Sequence, residues 1–468
     1  MSVTNSGKIT SDAITDCFKQ TLDFVKKGSI SLHFSIFDNS FCTLYDADVV
    51  EQEAKKNKEK IMSKLLKILF FIIFFTSNSF SKDLIYSGFS LQGNFSYNTI
   101  NYPYFSKIIE NNNEINQQLF QLMKDNTNLI IQKSDDDDGL VVSFGLVTEN
   151  TNLTEINEYV KNEYVIYPQV FIYDNKTKNY ISSISTRLSV ATKTTLSDKI
   201  TNQDSSYQAY KDVILSNEPK VSYVGRCVDS GETNTSFLNI YKILLSCINL
   251  QEITRFNLQV RDIDLGNSDY TNFSFLKKDA DYVPAIKYKL ANLVTAYTSH
   301  LTYNNQFLVL PHSKEQSIAN VQNRFSDTQN LNIGLPEPDF VIDVLIKGVR
   351  KKKINEDDDE ANFMYALGIN YKILEPYSGT IIFDGDFKHF KKIQFAKNLE
   401  NGNIIQTEEN DFFYYNQLLG ELSGDITKNL LTENLTKDNK SWIKIHINDK
   451  KNYQKVIDDH KKIINTFF

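Results

Sequence analysis

The pattern of apolar and polar positions in the first half of the chain predicts a sheet flanked by helices. Residues 140–147 and 164–173 are apolar runs typical of buried strands, and Pro168 indicates an edge or a bulge in the second run. The polar residues 174–179 form a predicted turn, after which a third strand covers 180–190. This strand–turn–strand order is a hairpin, so part of the sheet is antiparallel. Apolar residues at helical spacing predict helices around residues 115–123, 205–215 and 237–250.

The second half shows strand and helix patterns in a more definite order. An alternating strand at 255–265 precedes a helix at 283–301, and Pro284 lies near the helix start, where a missing N–H costs nothing. The remaining predicted elements, in chain order, are a strand at 306–310, a polar stretch with helical character, strands at 340–349, 363–374 and 379–387, an amphipathic helix at 412–426 and a candidate last strand at 442–447. A crossover helix followed by tight turns gives a mixed sheet with helices on one face.

Together these patterns predict an α+β fold with two mixed-sheet domains. The first domain covers residues 82–250. The second covers residues 251–450, has the order β-α-β-(α)-β-β-β-α and is followed by a C-terminal tail at 451–468.

Three segments of the second half resemble a small α/β domain of bacterial envelope proteins. They are a strand at 306–310, a segment at 338–348 whose strand ends in Gly, and a strand–turn–strand at 369–383 with Gly at the turn. The resemblance covers about residues 255–435. It is to the domain of curli secretion-channel lipoproteins, lipoprotein activators of penicillin-binding proteins, the N-terminal part of the Tol-system propeller protein and a flagellar basal-body ring protein. It implies partner binding without catalytic residues.

Residues 62–81 have the three parts of a secretory signal peptide. Residues 62–67 include two lysines, residues 68–75 are all bulky and apolar, and small residues precede a predicted cleavage between Ser81 and Lys82. A membrane-spanning helix needs about 20 apolar residues, so this shorter stretch favours a signal peptide. A buried core helix and an uncleaved inner-membrane signal anchor are the alternatives.

The position of this segment is unusual, because residues 1–61 precede Met62. The complete three-part signal behind Met62 leads to the hypothesis that Met62 is the natural initiator. Residues 1–61 would then be absent from the mature protein, which would be periplasmic or otherwise exported.

Two cysteines, Cys227 and Cys247, follow the predicted cleavage site. An even pair in an exported chain is a candidate disulfide. It would close a loop of about 20 residues and contribute about 3 kcal/mol in the chain-entropy model. Two unpaired buried thiols are the alternative. Because no cysteine closely follows residues 68–75, the chain lacks the acylation site that anchors the lipoproteins it resembles.

Composition and net charge indicate a packed core and argue against nucleic acid as a partner. Hydrophobic residues make up 41% and charged residues 23% of the chain, which suffices for a packed core. The net charge of -7 gives no global electrostatic reason to bind nucleic acid or an anionic membrane. We therefore expect no nucleic-acid partner, and peripheral or no membrane contact after signal cleavage.

The sequence contains no convincing catalytic or metal-binding motif. The aspartates at 135–138 do not alternate as a calcium loop requires, and they favour a solvated loop. The acidic run 356–360 follows the basic run 350–353, so the two predict a hairpin tip that compensates its own charge. Asp384 and Asp386 share one strand face while His389 lies on the other, which argues against a metal site. No catalytic residue, metal ligand or cofactor is predicted.

Two dense aromatic clusters are candidates for protein contacts. Core packing is the ordinary interpretation of such clusters, and an exposed partner surface is the sharper one. The clusters are Tyr102, Tyr104 and Phe105, and Phe412, Phe413, Tyr414 and Tyr415.

These observations predict an exported, non-enzymatic accessory protein of envelope assembly, secretion or motility machinery. It would bind envelope proteins through an exposed sheet edge or an aromatic patch, with self-association left open. The alternative is a periplasmic ligand-binding or hydrolytic protein acting on a cell-wall or small-molecule substrate.

The signal-peptide hypothesis makes a direct prediction about the mature N-terminus. N-terminal sequencing of the natively expressed protein is expected to begin at Lys82, because the export machinery cleaves after the small-residue end of the signal. A mature chain that begins near Met1 would contradict it.

Overall fold

The computed structural model describes residues 84–92, 97–111, 114–126, 131–132, 139–156, 158–195, 205–216, 218, 221–224, 232–248, 256–266, 282–299, 307–312, 318–323, 329–398, 401–447 and 449–468. Residues 82–468 form one compact unit. The predicted signal peptide with Ser81 and Lys82, the aspartates at 135–138 and Cys227 lie outside the described residues. Cys247 is described and buried after a helix, and its pairing with Cys227 stays a prediction.

The described residues of this unit form both strands and helices. The strands are β1 (Leu84–Gln92), β2 (Ile131–Gln132), β3 (Leu140–Ile156), β4 (Tyr159–Asp174), β5 (Tyr180–Ser185), β6 (Leu188–Thr195), β7 (Val221–Val224), β8 (Glu232–Thr235), β9 (Phe256–Asp264), β10 (Phe307–Leu310), β11 (Ile318–Asn323), β12 (Gln329–Gly334), β13 (Phe340–Glu356), β14 (Glu360–Leu374) and β15 (Ile381–Ala396). The helices are α1 (Asn98–Asn101), α2 (Phe105–Asn111), α3 (Glu114–Asn126), α4 (Ser205–Leu215), α5 (Phe237–Ser246), α6 (Tyr282–Thr298), α7 (Glu408–Leu430), α8 (Lys437–His446) and α9 (Lys450–Phe467).

The strands form two sheets, and both are mixed. The first has the order β12-β11-β1-β3-β4-β6-β7-β8, with β2 beside β1 and β5 beside β4. In it β1 runs parallel to β2 and β3, while β3 and β4 are antiparallel. The second sheet has the order β10-β9-β13-β14-β15, in which β9 is parallel to both neighbours and the last three strands are antiparallel. The predicted α+β class with mixed sheets is confirmed.

The hairpin predicted around residues 174–179 is present, but its second arm consists of two strands. β5 pairs with the end of β4 and β6 with its beginning, and Thr186 and Arg187 separate them. Pro168 lies at this break, opposite a bulge in β3. A proline has no N–H to donate, so the position between two partner strands suits it.

The predicted polar helix after β10 is wrong. The segment instead forms the hairpin β11–β12, and β11 adds to the free edge of β1 in the first sheet. Ile333 of this hairpin is buried in a cluster with Phe171 and Leu310, which links it to both sheets. A strand from the second half of the chain therefore extends a sheet built by the first half. The boundary between two domains near residue 250 stays a prediction.

The predicted last strand at 442–447 is also wrong, because these residues belong to α8 and its C-terminal end. Thr436 and Asn439 form a capping box that starts this helix. Within the described residues, Ile447 makes one antiparallel β-bridge, to Phe387 of β15. The predicted tail is the helix α9, whose Phe467 packs on Phe340 with ring centroids 4.7 Å apart.

Two of the three hydrophobic clusters of the described residues lie on opposite faces of the first sheet. One face packs against α2, α3, α4 and α5. The other face contributes Val147, Val165 and Tyr167 to a core shared with the second sheet, and α6 and α7 fill that core. Both helices therefore lie between the sheets, which explains why nearly every residue of α6 after Pro284 is buried.

Helices α6 and α7 approach closely at two glycines of α7. Gly420 and Gly424 are one helical turn apart and both face Tyr297 of α6. A Cβ added at Gly420 would lie 2.2 Å from Tyr297 Cε2, whereas one at Gly424 would lie 3.2 Å from Tyr297 Cβ. The ring is 2% exposed and has little room to move. Gly420 is therefore required by the packing of the two helices.

This contact predicts different effects for two alanine substitutions in the same helix. Gly420→Ala is expected to lower the free energy of unfolding by about 1–3 kcal/mol, because overpacking outweighs the better helix propensity of alanine. Gly424→Ala, which gains the same propensity, is the matched control and should cost less. Urea unfolding followed by fluorescence measures both values. Equal stabilities of the two variants would contradict the close approach.

Candidate functional site

The first predicted aromatic cluster lies in the core beside the first sheet. Tyr102 and Phe105 are fully buried, and the Tyr102 hydroxyl donates to the main-chain oxygens of Leu146 at 3.0 Å and Val147 at 2.9 Å. Tyr104 is partly buried against the same core. Core packing, rather than an exposed partner surface, describes this cluster.

The second predicted cluster lies on α7. Phe412, Phe413, Tyr414 and Tyr415 are each at most 9% exposed, and the Tyr414 hydroxyl donates to Glu163 at 3.2 Å. Four consecutive helical residues point in different directions, but each direction is covered because α7 lies between the sheets. An interaction surface therefore has to be found among other residues.

Glu149 of β3 is a fully buried carboxylate that binds the backbone at the start of α2. Its oxygens accept from the backbone N–H groups of Tyr104 at 2.5 Å and Phe105 at 3.1 Å, and from the Tyr210 hydroxyl at 2.5 Å. Burial raises the pKa of Glu149, while these hydrogen bonds oppose the rise. Burial also lowers the pKa of nearby Lys289, to about 8. Glu149 thus holds the start of α2 against the sheet.

The carboxylates considered for a metal site are engaged in ion pairs. Asp384 binds Lys455 at 3.0 Å, and Asp386 binds Lys347 at 2.8 Å. Across the described residues, no group of three His, Cys, Asp or Glu side chains is arranged to hold a metal ion.

One face of the second sheet carries a group of exposed cations, which we call the cationic face. Alternate residues of paired strands point to the same side, so the register of the three antiparallel strands defines its members. The cationic face comprises Gly348, Arg350 and Lys352 of β13, Met364, Ala366 and Gly368 of β14, and Lys388, Phe390 and Lys392 of β15. It lies opposite the face that packs on α6 and α7, to which Tyr365, Leu367 and Ile369 point.

Lysines on the two sides of this sheet differ in their partners. On the helix side, Lys351 pairs with Asp411 at 3.1 Å and Lys391 with Glu421 at 2.9 Å, and both carboxylates come from α7. On the cationic face, no carboxylate within the described ranges forms an ion pair with Arg350, Lys352, Lys388 or Lys392. The face therefore presents four positive charges that the described part of the protein leaves uncompensated.

Phe390 lies among these cations and is 48% exposed. An exposed phenyl ring beside charged side chains offers apolar surface that a bound partner can bury. Arg350, Lys352 and Lys392 are likewise exposed. The cationic face thus combines an exposed ring with cations that the described residues leave unpaired, and we take it as the candidate site in place of the two buried aromatic clusters.

The sequence prediction missed this face, although a signal was present. The sequence predicts a hairpin tip in which the basic run 350–353 is compensated by the acidic run 356–360, and Lys353 does pair with Glu356 there. In a strand, however, Arg350 and Lys352 point to the side opposite Lys351. The alternation of cations in β13 and β15 would have revealed the face once the strand register was known.

An ionic cluster lies on the helix side of the same strands. Glu421 of α7 accepts from Lys391 and lies 3.6 Å from His389 Nε2. His389 Nδ1 lies 3.2 Å from His446 Nε2, and His446 Nδ1 lies 2.8 Å from the Trp442 carbonyl oxygen. The cluster connects α7 and α8 through β15.

The electrostatics of this cluster favour a structural role. Burial disfavours the ionised form of Glu421, but the His389 hydrogen bond, Lys391 and Arg187 together lower its pKa to about 2. Such a carboxylate stays ionised at neutral pH and has no proton to donate as a general acid. Burial lowers the pKa of His446, which favours its neutral form.

Comparisons with known proteins assign this chain to no family. No protein-family model matches this chain, and no curated protein matches it. Among solved structures it is similar to a neuraminyllactose-binding hemagglutinin homolog from Helicobacter pylori, at 12% identity and a TM-score of 0.22. The match covers 41% of this chain and 90% of that chain. A TM-score of this size carries no argument about fold or function.

Glu421 leads to a prediction about stability and pH. Because its pKa in the folded state lies below its ordinary value of 4.5, it stabilises the fold above about pH 4.5 and loses this effect as the pH falls toward 2. Glu421→Gln is expected to lower the free energy of unfolding at pH 7 by about 3 kcal/mol, with a smaller difference at pH 3. Urea unfolding at the two pH values measures this.

Glu356→Gln provides the matched control. Lys353 and Lys397 also lower the pKa of Glu356 to about 2, but that side chain is exposed to solvent. Solvent screening makes exposed ion pairs weak, so this variant should unfold much like the wild type. Equal losses from both substitutions would contradict the importance of burial at Glu421.

Proposed function

We propose that this chain is an exported, non-enzymatic accessory protein of bacterial envelope assembly, secretion or motility machinery that acts by protein–protein contacts. The observation that supports this most is the cationic face. Its four cations lack carboxylate partners among the described residues, and Phe390 is exposed between them. An uncompensated charged surface with an exposed ring suits recognition of another protein.

The proposed location in the periplasm, or otherwise outside the cytoplasm, rests on the predicted signal peptide at 62–81. No helix within the described ranges combines the length and apolar character needed to cross a membrane. The resemblance to envelope α/β domains supports the same proposal. The described order is β9-α6-β10, then the hairpin β11–β12, then β13-β14-β15-α7, and the hairpin departs from the helix that the resemblance implies at this place.

Affinity capture from envelope extracts tests the proposal with matched variants. Tagged wild-type protein is expected to retain a reproducible set of envelope proteins that Arg350→Glu/Lys388→Glu loses, because the double substitution reverses two charges of the cationic face. Lys450→Glu/Lys451→Glu makes the same change in net charge at exposed positions of α9, and should retain the set. Recovery of the tagged protein alone, or equal recovery by all variants, would argue against the proposal.

A further inference from the structure

We infer that the cationic face accepts a short acidic segment of a partner polypeptide, bound in extended conformation along β14. The inference deepens the proposed function, on which it rests, by naming the chemistry of the partner. It depends on the shape of the face, on the spacing of its cations and on the carboxylates that limit it.

The floor of the cationic face is formed by Gly348 of β13 and by Gly368 and Ala366 of β14, and Met364 of β14 lies at one end of it. Gly348 has no atom within 4 Å of the position where a Cβ would stand. At Gly368 the nearest atoms are backbone oxygens of Gly348 and Phe387, both at 3.9 Å. Packing within the described structure therefore does not require glycine at residue 368. A glycine inside a strand often stands at a bulge or where another backbone approaches closely. A bulge precedes Gly348, whereas Gly368 is regularly paired with both neighbouring strands and leaves room for the backbone of a bound segment.

The cations line both sides of this floor. Neighbouring strands are about 4.8 Å apart, so the residues of β13 and β15 are separated by about 10 Å across β14. That width admits one extended chain between Arg350 and Lys352 on one side and Lys388 and Lys392 on the other. Successive side chains of an extended peptide point to opposite sides, so consecutive acidic residues would reach the two rows alternately.

Carboxylates limit the cationic zone at both ends. Asp384 and Asp386 precede it on β15, where they form ion pairs with Lys455 and Lys347. The acidic residues 356–360 follow it at the hairpin tip, and of these Glu356 pairs with Lys353 and Lys397. From Gly348 to Lys352 the zone is about 14 Å long, which equals about four extended residues. A planar anionic membrane or a long polyanion would also meet the flanking carboxylates. A short acidic segment meets the cations alone, so charge complementarity favours it.

Fluorescence polarisation with a labelled peptide tests the inference. The probe contains four consecutive aspartates between glycine and serine residues, and its asparagine counterpart is the control. The full chain is expected to bind the acidic probe, and to do so about tenfold more weakly when the Debye length is reduced from about 10 Å to 3 Å by added salt. Arg350→Glu/Lys388→Glu should lose at least about tenfold in affinity, and Lys450→Glu/Lys451→Glu should stay within about twofold.

Substitutions at Gly368 separate this inference from simple charge attraction. Gly368→Leu keeps every cation but fills the floor, so it should lose about tenfold in affinity, and Gly368→Ala should lose less. Circular dichroism shows whether each variant is folded. If Gly368→Leu does not fold, the affinity of Gly368→Ala provides the test. Unchanged binding by both variants would overturn the inference. So would tighter binding to vesicles of anionic phospholipid or to duplex DNA than to the probe.

The proposed function and this inference fail in different ways. If Arg350→Glu/Lys388→Glu loses its envelope partners while wild-type protein does not bind the acidic probe, the protein-contact function stands and the acidic-segment inference is overturned. If the probe binds as expected but no envelope protein is retained, the inference stands and the proposed accessory function is overturned.

Discussion

The close contact between α6 and α7 is the constraint on which the rest of the structure depends. Gly420 and Gly424 let α7 pack directly against Tyr297 of α6, so two helices fit between the sheets. Polar contacts then fix the position of α7. Asn410 donates to Asn152 of β3, and Asn150 donates to the backbone of α7 at 3.4 Å. These hydrogen bonds satisfy polar groups that would otherwise be buried without partners at a large cost. The two sheets are thereby held as one unit.

This arrangement determines which surfaces remain available for binding. The first sheet is covered on both faces, whereas described helices cover the second sheet on one face. Strand alternation sends neighbouring lysines of β13 and β15 to opposite sides. Those on the helix side meet Asp411 and Glu421 of α7. On the other side, Lys352, Lys388 and Lys392 form no ion pair with a carboxylate of the described structure, which is how a protein with a net charge of -7 presents a local positive surface.

Local patterns predicted those elements whose formation depends mainly on nearby residues. The apolar runs of β3 and β4 and the helical spacing of α3, α6 and α7 were sufficient to predict them. The hairpin β11–β12 was not predictable, because its polar segment is ordered by the distant edge of β1. The capping box of Thr436 and Asn439 was visible in the sequence, but the apolar residues after it suggested a strand. The candidate site required knowledge of strand register, which links positions such as Arg350, Ala366 and Phe390 that are far apart in the chain. The aromatic clusters did not identify a binding surface, because aromatic side chains pack in cores as readily as in interfaces.

The position of β15 has a consequence for solubility. It is the last strand of the second sheet and is 16 residues long, with apolar residues such as Phe383, Phe387 and Phe395 at alternating positions. An outermost strand of this length and composition could template edge-to-edge pairing with other molecules, the first step of amyloid growth. Lys388 and Lys392 place positive charge along this strand without an ion pair in the described structure, so two such strands would repel each other when aligned. These lysines are therefore expected to disfavour edge-to-edge self-association of β15.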